Sequence, residues 1–367
     1  MDYADALGVS EDDLDAVLEH TEQYTHGGRE FRALPDARRG IERGTVFADD
    51  AVVRGFPSVP RALVLGAGVR SVFDDEFAVE EKLNGYNARV ARVGEPLAFT
   101  RSGYACPFTT ALVEDALPTA EFFDDHPDLV LVGEVYGPEN PYTAHDYPDV
   151  GSAAFRVFDV RDRASGEPLP VAERRRLCAA HGLPQVPSYG WFDPDAGPDL
   201  RELVDGLDEE GREGIVMKSA DGTDLLKYTT GAATRDDLRY AFSLPFDYGR
   251  DFAFSRIVRE GFRAVERGED GAAVEERARR LGEALLVPMI DAIRAVEAGE
   301  TVGERHTVRG EPETIARTLD WLRGRGLDLE VESDRTEDGE RVVEFVKVAA
   351  STRDRTRHFL DGGTIDR

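Results

Sequence analysis

The sequence contains very little lysine. Only four of its 45 basic residues are lysines, namely Lys82, Lys218, Lys227 and Lys347. Arginine therefore serves almost everywhere that a positive charge alone is needed. A guanidinium is neither deprotonated in proteins nor a nucleophile, whereas a lysine amine can lose its proton in a perturbed site. Random loss of lysine codons would also explain why lysine is scarce. It would not explain retained lysines that fall at particular positions, so their positions must be considered.

Cysteine and long apolar runs are also scarce. Two cysteines, Cys106 and Cys178, are too few for a disulfide framework or a structural zinc site. No segment approaches the roughly 18 apolar residues of a membrane span. The acidic opening MDYADALGVSEDD does not have the pattern of a secretory leader. We therefore expect a cytoplasmic protein with reduced thiols and no membrane partner.

Acidic residues are in large excess. The chain carries 73 Asp and Glu residues and a formal net charge of −28. The excess is spread along the chain, which disfavours a disordered acidic tail. At low ionic strength such a charge repels phosphates, so a protein that coats nucleic acid is disfavoured. A solvated acidic surface suits work at high salt, where the Debye length falls to about 3 Å.

Sequence patterns divide the chain into four regions and predict an α+β fold. Residues 1–72 combine a helix that Ser10 would cap with short β-rich runs. Residues 73–235 are dominated by strand-like runs, with helical patterns in TALVEDAL and VAERRRLCAAHG. Because regular helices do not separate these strands, we expect mixed or antiparallel sheets around a cleft rather than a doubly wound parallel sheet. Residues 236–300 have helical spacing, and residues 301–367 indicate a helix, a hairpin and a last helix.

A wide apolar stripe marks the helical region. Such a face must pack against its own chain or against a second subunit. Its members are Val274, Ala278, Leu281, Leu285, Leu286, Met289, Ile290 and Ile293.

Three of the four lysines fall within a series of short motifs. The stretch EEKLNGYNARV places Gly85 three residues after Lys82 and Asn87 five residues after it. A K-x-x-G motif alone is weak, because about 7% of residues are glycine. The further elements, in order, are Arg101 in AFTRSG, Glu134 in LVGEVYG, Phe158 in FRVFDVRD, Glu213 and Lys218 in EGIVMK, and Lys227 in LLKYTT.

These residue types suit phosphoryl transfer through a covalent intermediate. An amine at Lys82 can attack a nucleotide α-phosphate and hold the nucleotide as a phosphoramidate, which divides one difficult transfer into easier ones. The missing side chain at Gly85 would let the backbone approach a phosphate or ribose closely. Lys218 and Lys227 would place positive charge where negative charge develops on the phosphates.

In order and spacing, the motifs from Glu80 to Thr229 resemble the covalent nucleotidyltransferase superfamily of ATP-dependent DNA and RNA ligases and mRNA capping enzymes. The resemblance implies a central ATP-grasp-like ligase domain, ATP as the AMP donor, and Mg²⁺ or Mn²⁺. It also implies Lys82 as the nucleophile, with either Phe158 or Phe155 stacked on adenine. The remaining implied contacts are Glu81 near the base edge, Glu134 on the ribose hydroxyls, Arg101 on the ribose or a phosphate, Lys218 and Lys227 on the phosphates, and Glu134 and Glu213 at the metal.

Asn87 distinguishes between members of this superfamily. DNA ligases typically carry arginine at this place in K-x-D-G-x-R, whereas K-L-N-G-Y-N looks like RNA ligases, in which the asparagine serves sealing. Arg89 cannot substitute, because two residues along a strand move it about 7 Å. No OB-fold pattern of five strands follows Thr229. The layout resembles the archaeal homodimeric ATP-dependent RNA ligase family, and the acidic composition suits a halophilic archaeon.

The resemblance implies an RNA-joining enzyme. Lys82 would take AMP from ATP and pass it to an RNA 5′-phosphate, which is then joined to a 3′-hydroxyl of single-stranded RNA, including circularisation. A homodimer is expected. The arginines at 174–176 and at 353, 355 and 357 could contact the strand, although solvated helix faces are the favoured interpretation of both groups. Two alternatives stay open. One is an ATP-dependent DNA ligase or capping-type nucleotidyltransferase, and the other is a non-enzymatic nucleotide-binding dimer.

Overall fold

The computed structural model describes residues 2–48 and 51–365. These residues form four sheets, in which all paired strands are antiparallel, together with twelve α-helices. The expected α+β class with antiparallel sheets is therefore confirmed. None of the described helices combines the length and apolar character needed to cross a membrane. The division of the chain at residues 72, 235 and 300 stays a prediction.

The N-terminal region packs two short helices on a four-stranded sheet of order β1-β2-β3-β4. Ser10 accepts a hydrogen bond from the Asp13 amide and caps α2, as the sequence predicts. The opposite face of the sheet joins the central core through Phe31 and Phe99. The elements are α1 Tyr3–Leu7, α2 Glu11–Leu18, β1 Glu22–His26, β2 Arg29–Ala33, β3 Val46–Ala48 and β4 Ala51–Val53.

One segment of this region differs from its prediction. Residues Leu65–Val72, which belong to the stretch expected to be β-rich, form helix α3. Leu65 and Val69 stand one helical turn apart and are both buried against Phe73 and Phe77. With the partly buried Val72, this pair has the i, i+4, i+7 spacing that places side chains on one face of a helix.

The first central sheet carries the predicted nucleophile. Its strand order is β10-β5-β11-β12, so β5 lies between two neighbours. On β5, Phe77 and Val79 are buried in an apolar core, so the alternation of the strand turns Glu80 and Lys82 towards the opposite face. The strands are β5 Phe77–Lys82, β10 Ser188–Phe192, β11 Gly214–Ser219 and β12 Leu225–Thr229.

The second central sheet has the order β7-β6-β8-β9. The motif EEKLNGYNARV, expected within one strand-like run, is divided between the two central sheets, because β5 ends at Lys82 and β6 begins at Gly85. The chain therefore crosses from one sheet to the other within the motif. The strands are β6 Gly85–Val93, β7 Glu95–Thr100, β8 Leu129–Tyr136 and β9 Ala154–Asp162.

Four helices cover the central sheets. Helices α4 and α6 occur where TALVEDAL and VAERRRLCAAHG predict them, whereas α5 and α7 were not predicted. Leu200, Val204 and Leu207 of α7 pack on the first central sheet. The helices are α4 Pro107–Ala116, α5 Thr119–Asp125, α6 Val171–Ala180 and α7 Gly197–Glu209.

The remaining chain forms a helical region and a small α/β module. Thr230 caps the first helix, and the helical region ends with a 28-residue helix. The module has the predicted helix, hairpin and last helix, and its sheet order is β13-β15-β14. The elements are α8 Gly231–Tyr240, α9 Phe246–Glu266, α10 Gly271–Ala298, β13 Gly303–Gly310, α11 Pro312–Gly324, β14 Leu329–Glu337, β15 Glu340–Val348 and α12 Ala350–Leu360.

Candidate active site

A cavity of about 590 Å³ is enclosed by the two central sheets and the C-terminal module. Its lining includes nine of the ten residues that the sequence predicts for the site. The tenth, Glu213, lines a neighbouring cavity of about 500 Å³ and reaches Lys82 through a hydrogen bond. The nine are Glu81, Lys82, Gly85, Asn87, Arg101, Glu134, Phe158, Lys218 and Lys227.

Lys82 stands at the end of β5 and is held by Glu213. Its Nζ lies 2.6 Å from Glu213 Oε2, and the two side chains are 19% and 12% exposed. Their proximity follows from strand register, because Glu213 directly precedes Gly214, the residue of β11 paired with Lys82. An amine and a carboxylate at this distance can exchange a proton, which an attacking lysine must lose.

Gly85 lines the cavity, but the structure gives a different reason for its lack of a side chain. A Cβ added to Gly85 would stand 2.0 Å from the carbonyl oxygen of Val135. That oxygen belongs to β8, whose Tyr136 is paired with Gly85. Close packing of two strands therefore requires the glycine, and close approach of its backbone to a nucleotide stays a prediction.

Asn87 and Glu134 face each other across β6 and β8. The Oδ1 of Asn87 is buried and has no hydrogen-bond partner among the described residues, so it can accept a hydrogen bond from a ligand. Burial raises the pKa of Glu134 to about 8, although Lys82 and Arg101 oppose the rise. A cation or hydrogen-bond donors from a ligand would stabilise the ionised form of such a carboxyl group and favour loss of its proton.

Phe158, rather than Phe155, lines the cavity. Phe155 is 2% exposed and belongs to the core behind the second sheet. Phe158 makes an edge-to-face contact with Phe56, at 5.3 Å between ring centroids, and Lys218 Nζ lies 5.4 Å from its centroid. Phe158 is thus the aromatic ring that a base in the cavity can contact.

Lys218 belongs to a buried ionic network centred on Glu80. Lys218 Nζ lies 3.2 Å from Glu80 Oε2 and also donates to the carbonyl oxygen of Phe158. Arg174 binds the same carboxylate and the same carbonyl, and Arg175 Nη1 lies 2.8 Å from Glu80 Oε1. The pKa of Glu80 falls to about 2 because the attraction of Lys218 and Arg174 exceeds the opposing effect of burial.

The arginines predicted to form an RNA-contacting surface are largely occupied elsewhere. Arg174 is 1% exposed, so the expectation that it contacts a strand is wrong. On α12, Arg355 binds Asp247 at 2.9 Å, and Arg357 donates to the carbonyl oxygen of Val296. These two side chains tie α12 to α9 and α10. Arg353 binds its neighbour Asp354 at 3.0 Å.

Lys227 and Arg101 add positive charge to the cavity. Burial, together with the nearby cations Arg61, Lys82 and Arg101, lowers the pKa of Lys227 to about 8. Burial and Arg43 also lower the pKa of Arg101. A group of cations that destabilise one another is stabilised when an anionic ligand binds.

Glu81 is nearly buried beside Arg212, whose Nη1 lies 3.4 Å from Glu81 Oε1. Burial raises the pKa of Glu81, and Arg212 opposes this rise. Asp159, which follows the cavity residue Phe158, binds Arg161 at 2.8 Å and has a structural role.

The C-terminal module contributes residues that the motifs do not reveal. Trp321, Arg325 and Leu327 line the same cavity as Lys82. The guanidinium of Arg325 lies 3.3 Å from the ring centroid of Tyr104. The only sequence signal is a helix pattern, because contacts between residues so far apart leave no local spacing.

The two predicted metal residues have donor chemistry that fits a divalent ion. Mg²⁺ typically binds one or two carboxylates and completes its shell with water and substrate phosphates. Glu134 and Glu213 are close enough for the negative charge of Glu213 to raise the pKa of Glu134. No group of three or more acidic, histidine or cysteine side chains suited to a metal occurs in residues 2–48 and 51–365. A divalent ion held by Glu134 and Glu213 would therefore also need ligands supplied by the substrate.

Comparisons with known proteins agree with this geometry. Residues 75–229 match the RNA ligase family, and residues 240–363 match the family described as the ligase Pab1020 C-terminal region. An uncharacterized protein of Methanocaldococcus jannaschii is 39% identical over 339 residues, which cover 88% of this chain and 86% of that protein.

Solved structures resemble the whole chain. A structure described as an archaeal ATP-dependent RNA ligase is 38% identical, with a TM-score of 0.91 and coverage of 99% of this chain and 98% of that one. A protein from Aquifex aeolicus, assigned as an ATP-dependent DNA ligase, is 29% identical, with a TM-score of 0.87 and coverage of 97% and 100%. The chain therefore belongs to the archaeal ATP-dependent RNA ligase family.

Proposed function

We propose that the protein is an ATP-dependent RNA ligase that forms a covalent lysyl-AMP at Lys82. The observation that carries this proposal is the Lys82–Glu213 pair, with Nζ 2.6 Å from Oε2, in a cavity lined by eight further predicted residues. Membership of the family supports the same activity. ATP is the AMP donor, and the acceptor is single-stranded RNA with a 5′-phosphate and a 3′-hydroxyl.

The first step forms a P–N bond between Lys82 Nζ and the α-phosphorus of ATP. The P–O bond to the β-phosphate breaks, and pyrophosphate leaves with the bonding electrons. Glu213 accepts the proton that the amine loses, because its Oε2 already receives a hydrogen bond from Nζ. Phe158 stacks on adenine, Glu134 binds the ribose hydroxyls, and Lys218 neutralises charge on the α-phosphate.

The later steps use the same cavity. An oxygen of the RNA 5′-phosphate attacks the phosphorus of lysyl-AMP, the P–N bond breaks, and the amine of Lys82 regains a proton. The 3′-hydroxyl then attacks the RNA 5′-phosphorus, and AMP leaves. Asn87 orients the sealing step, since its Oδ1 is an unused acceptor in the cavity. Joining the two ends of one strand gives a circle.

A divalent ion, Mg²⁺ or Mn²⁺, supplies charge neutralisation at the phosphates when it is bound. Glu134 and Glu213 are the residues of this chain that would hold it. Their side chains come from different central sheets, so the ion site depends on the two sheets keeping their relative position.

Adenylation of the purified protein tests this proposal. Wild-type protein incubated with α-labelled ATP and Mg²⁺ should gain a covalent AMP adduct that survives denaturing gel electrophoresis and adds to the intact mass, and Lys82→Ala should not. If wild type forms no adduct, or if Lys82→Ala still forms it, the proposal is wrong and a non-enzymatic nucleotide-binding role takes its place.

A DNA ligase is the second candidate, favoured by the likeness to the Aquifex aeolicus protein. The two candidates differ at the acceptor. Supplied with 5′-phosphorylated single-stranded RNA and with nicked duplex DNA at equal concentration, the protein should join the RNA ends at least ten times faster. Faster sealing of the nick would reverse the assignment.

We also propose that the protein is a homodimer formed through the helical region. Apolar side chains on α9 are strongly exposed, with Phe254 at 68% and Val265 at 80%. Ile257 lies between them at helical spacing, and Leu286 and Ile290 of α10 are exposed as well. Exposed apolar side chains at helical spacing on two helices are typical of a face that a second subunit covers.

A further inference from the structure

Three arginines from two parts of the chain gather beside the Lys82–Glu213 pair. We name Arg61, Arg256 and Arg259 the arginine cluster. Arg61 lies next to the cavity residue Lys227, because Lys227 N donates to the Pro60 carbonyl at 2.9 Å and Ala62 N donates to the Lys227 carbonyl at 2.9 Å. The guanidinium of Arg61 donates to Thr229 Oγ1 at 2.7 Å.

The other two members come from α9 and share one acid. Arg256 Nε lies 2.9 Å from Asp237 Oδ2, and Arg259 Nη1 lies 4.0 Å from the same oxygen. The two side chains are only 18% and 13% exposed. Among the described residues, Arg259 forms no other ion pair and donates no hydrogen bond. A guanidinium so little exposed normally has several acceptors, so the hydrogen-bonding capacity of Arg259 is available to a ligand.

The arginine cluster has more positive charge than the neighbouring acidic side chains neutralise. Three guanidinium groups face Asp237 and Glu213, and Glu213 is already hydrogen-bonded to Lys82. Burial, together with Arg61 and Arg256, lowers the pKa of Arg259 to about 10. Burial and Arg256 likewise lower the pKa of Arg61, while Glu213 opposes this. In a chain with a net charge of −28, a local surplus of positive charge indicates an anionic ligand with more than one charge.

We propose that the arginine cluster binds the β- and γ-phosphates of ATP and then the pyrophosphate that leaves. This inference rests on the proposed ligase function. Lys227 lines the nucleotide cavity and is joined to the cluster through Arg61, so positive charge continues from the cavity to α9. Guanidinium groups less than a fifth exposed suit a compact anion rather than an extended strand. When the α–β bond breaks, the cluster neutralises the extra negative charge that the departing oxygen carries.

Arg259→Ala tests the inference in the full-length protein. The KM for ATP in enzyme–AMP formation should rise about tenfold or more, as expected when a charge-assisted hydrogen bond is lost. The KM for pyrophosphate in the reverse reaction of isolated enzyme–AMP should rise by a similar factor. Arg256→Ala should act in the same direction. Arg250→Ala is the matched control, because Arg250 is on the same helix and 66% exposed.

Two substrates separate the pyrophosphate subsite from other roles. Adenosine 5′-phosphorimidazolide delivers AMP to Lys82 with imidazole as the leaving group, so Arg259→Ala should use it at the wild-type rate. Pre-adenylated RNA bypasses the first step, so the variant should seal it normally. Thermal unfolding within a few degrees of wild type shows that the variant is folded.

The outcomes distinguish this inference from the proposed function. If wild type forms no enzyme–AMP, the ligase proposal fails. If wild type forms it and Arg259→Ala keeps the wild-type KM for ATP and pyrophosphate, the arginine cluster does not bind these phosphates and the inference alone is wrong. A defect confined to pre-adenylated RNA would assign the cluster to the RNA strand, which also overturns the inference.

Discussion

Lys227 combines a buried ammonium with neighbouring cations, and this combination predicts an upper pH limit for ATP use. In the free folded enzyme its proton is lost near pH 8 instead of near the ordinary 10.5. The positive charge that attracts the triphosphate is therefore present below about pH 8 and lost as the pH rises through it. Because kcat/KM reports the pKa values of the free enzyme, kcat/KM for ATP in enzyme–AMP formation should fall above pH 8.

Lys227→Arg is the control for this pH limit. Arginine keeps its charge throughout this range, so the decline in kcat/KM should move upward by at least one pH unit, even if the variant is slower overall. The other titrating residues are the same in both proteins. An identical decline in the two profiles would show that Lys227 does not set the limit.

Glu80 predicts a large effect on stability. Its carboxylate is 1% exposed and neutralises Arg174, also 1% exposed, and Lys218, 3% exposed. Glu80→Gln leaves those cations buried without their counter-charge, so the free energy of unfolding in urea should fall by about 3–5 kcal/mol. Asp149→Asn breaks the exposed pair with Arg156 and should change it by about 0–1 kcal/mol. Equal effects of the two substitutions would contradict this account.

Single residues were predictable where chemistry restricts the residue type. The scarcity of lysine identified Lys82, Lys218 and Lys227, and the structure places all three at one cavity. The reason for Gly85 was not predictable, because the Val135 carbonyl that excludes a side chain belongs to a strand about 50 residues away. Arg174 was misassigned for the same kind of reason, since its partner Glu80 is distant in sequence.

At the scale of elements, the exposed apolar side chains of α9 predict where two subunits contact each other. We call the exposed apolar residues of this helix the apolar stripe of α9, and Phe254 stands near its middle; its members are Tyr248, Phe254, Ile257, Phe262 and Val265. Phe254→Asp puts a charge into a surface that a second copy would bury, and an unpaired buried charge is strongly unfavourable. Light scattering coupled to gel filtration should give twice the 40.5 kDa chain mass for wild type and 40.5 kDa for the variant.

Val331→Asp is the matched control for the dimer. Val331 is an apolar residue 41% exposed, and it lies on β14, away from α9 and α10. This variant should remain a dimer. A wild-type mass of 40.5 kDa across the micromolar range would contradict the proposed dimer. If both variants dissociate, the effect of Phe254→Asp would not show that the apolar stripe of α9 forms the dimer interface.

Elements with strong local signals were predicted, and elements defined by their environment were not. The cap at Ser10 and the hairpin of β14 and β15 are formed by neighbouring residues, so the sequence pattern contains them. The break between β5 and β6 contains the dipeptide Asn84-Gly85, which marks turns but does not show which sheets the flanking strands join. It exists because Lys82 and Gly85 pair with different sheets, and pairing with distant strands cannot be read from a local run.

At the scale of the molecule, the cavity joins parts that sequence motifs treat as separate. The motifs end at Lys227, yet Trp321 of α11 and Arg325, which directly follows this helix, line part of the same cavity. Ile315 and Leu319 of α11 pack in one core with Phe108 of α4, which fixes the C-terminal module against the central region. This arrangement depends on packing between surfaces, and periodic patterns show only that each surface is apolar.

The net charge of −28 predicts how the protein responds to salt. At low ionic strength the acidic surface repels RNA and destabilises the fold through self-repulsion. At about 1 M KCl the Debye length is about 3 Å, so this long-range repulsion is screened while close contacts within the cavity persist. From 0.05 to 1 M KCl, the KM for RNA should therefore fall and the unfolding temperature should rise.

Sucrose at matched osmolality separates screening from general solute effects, because it carries no charge and should leave the KM for RNA unchanged. A basic surface that binds RNA would give the opposite salt dependence, since each phosphate contact releases counterions and weakens with added salt. A KM for RNA that increases steadily with KCl would therefore show that local basic contacts, rather than the overall acidic charge, control the encounter with RNA.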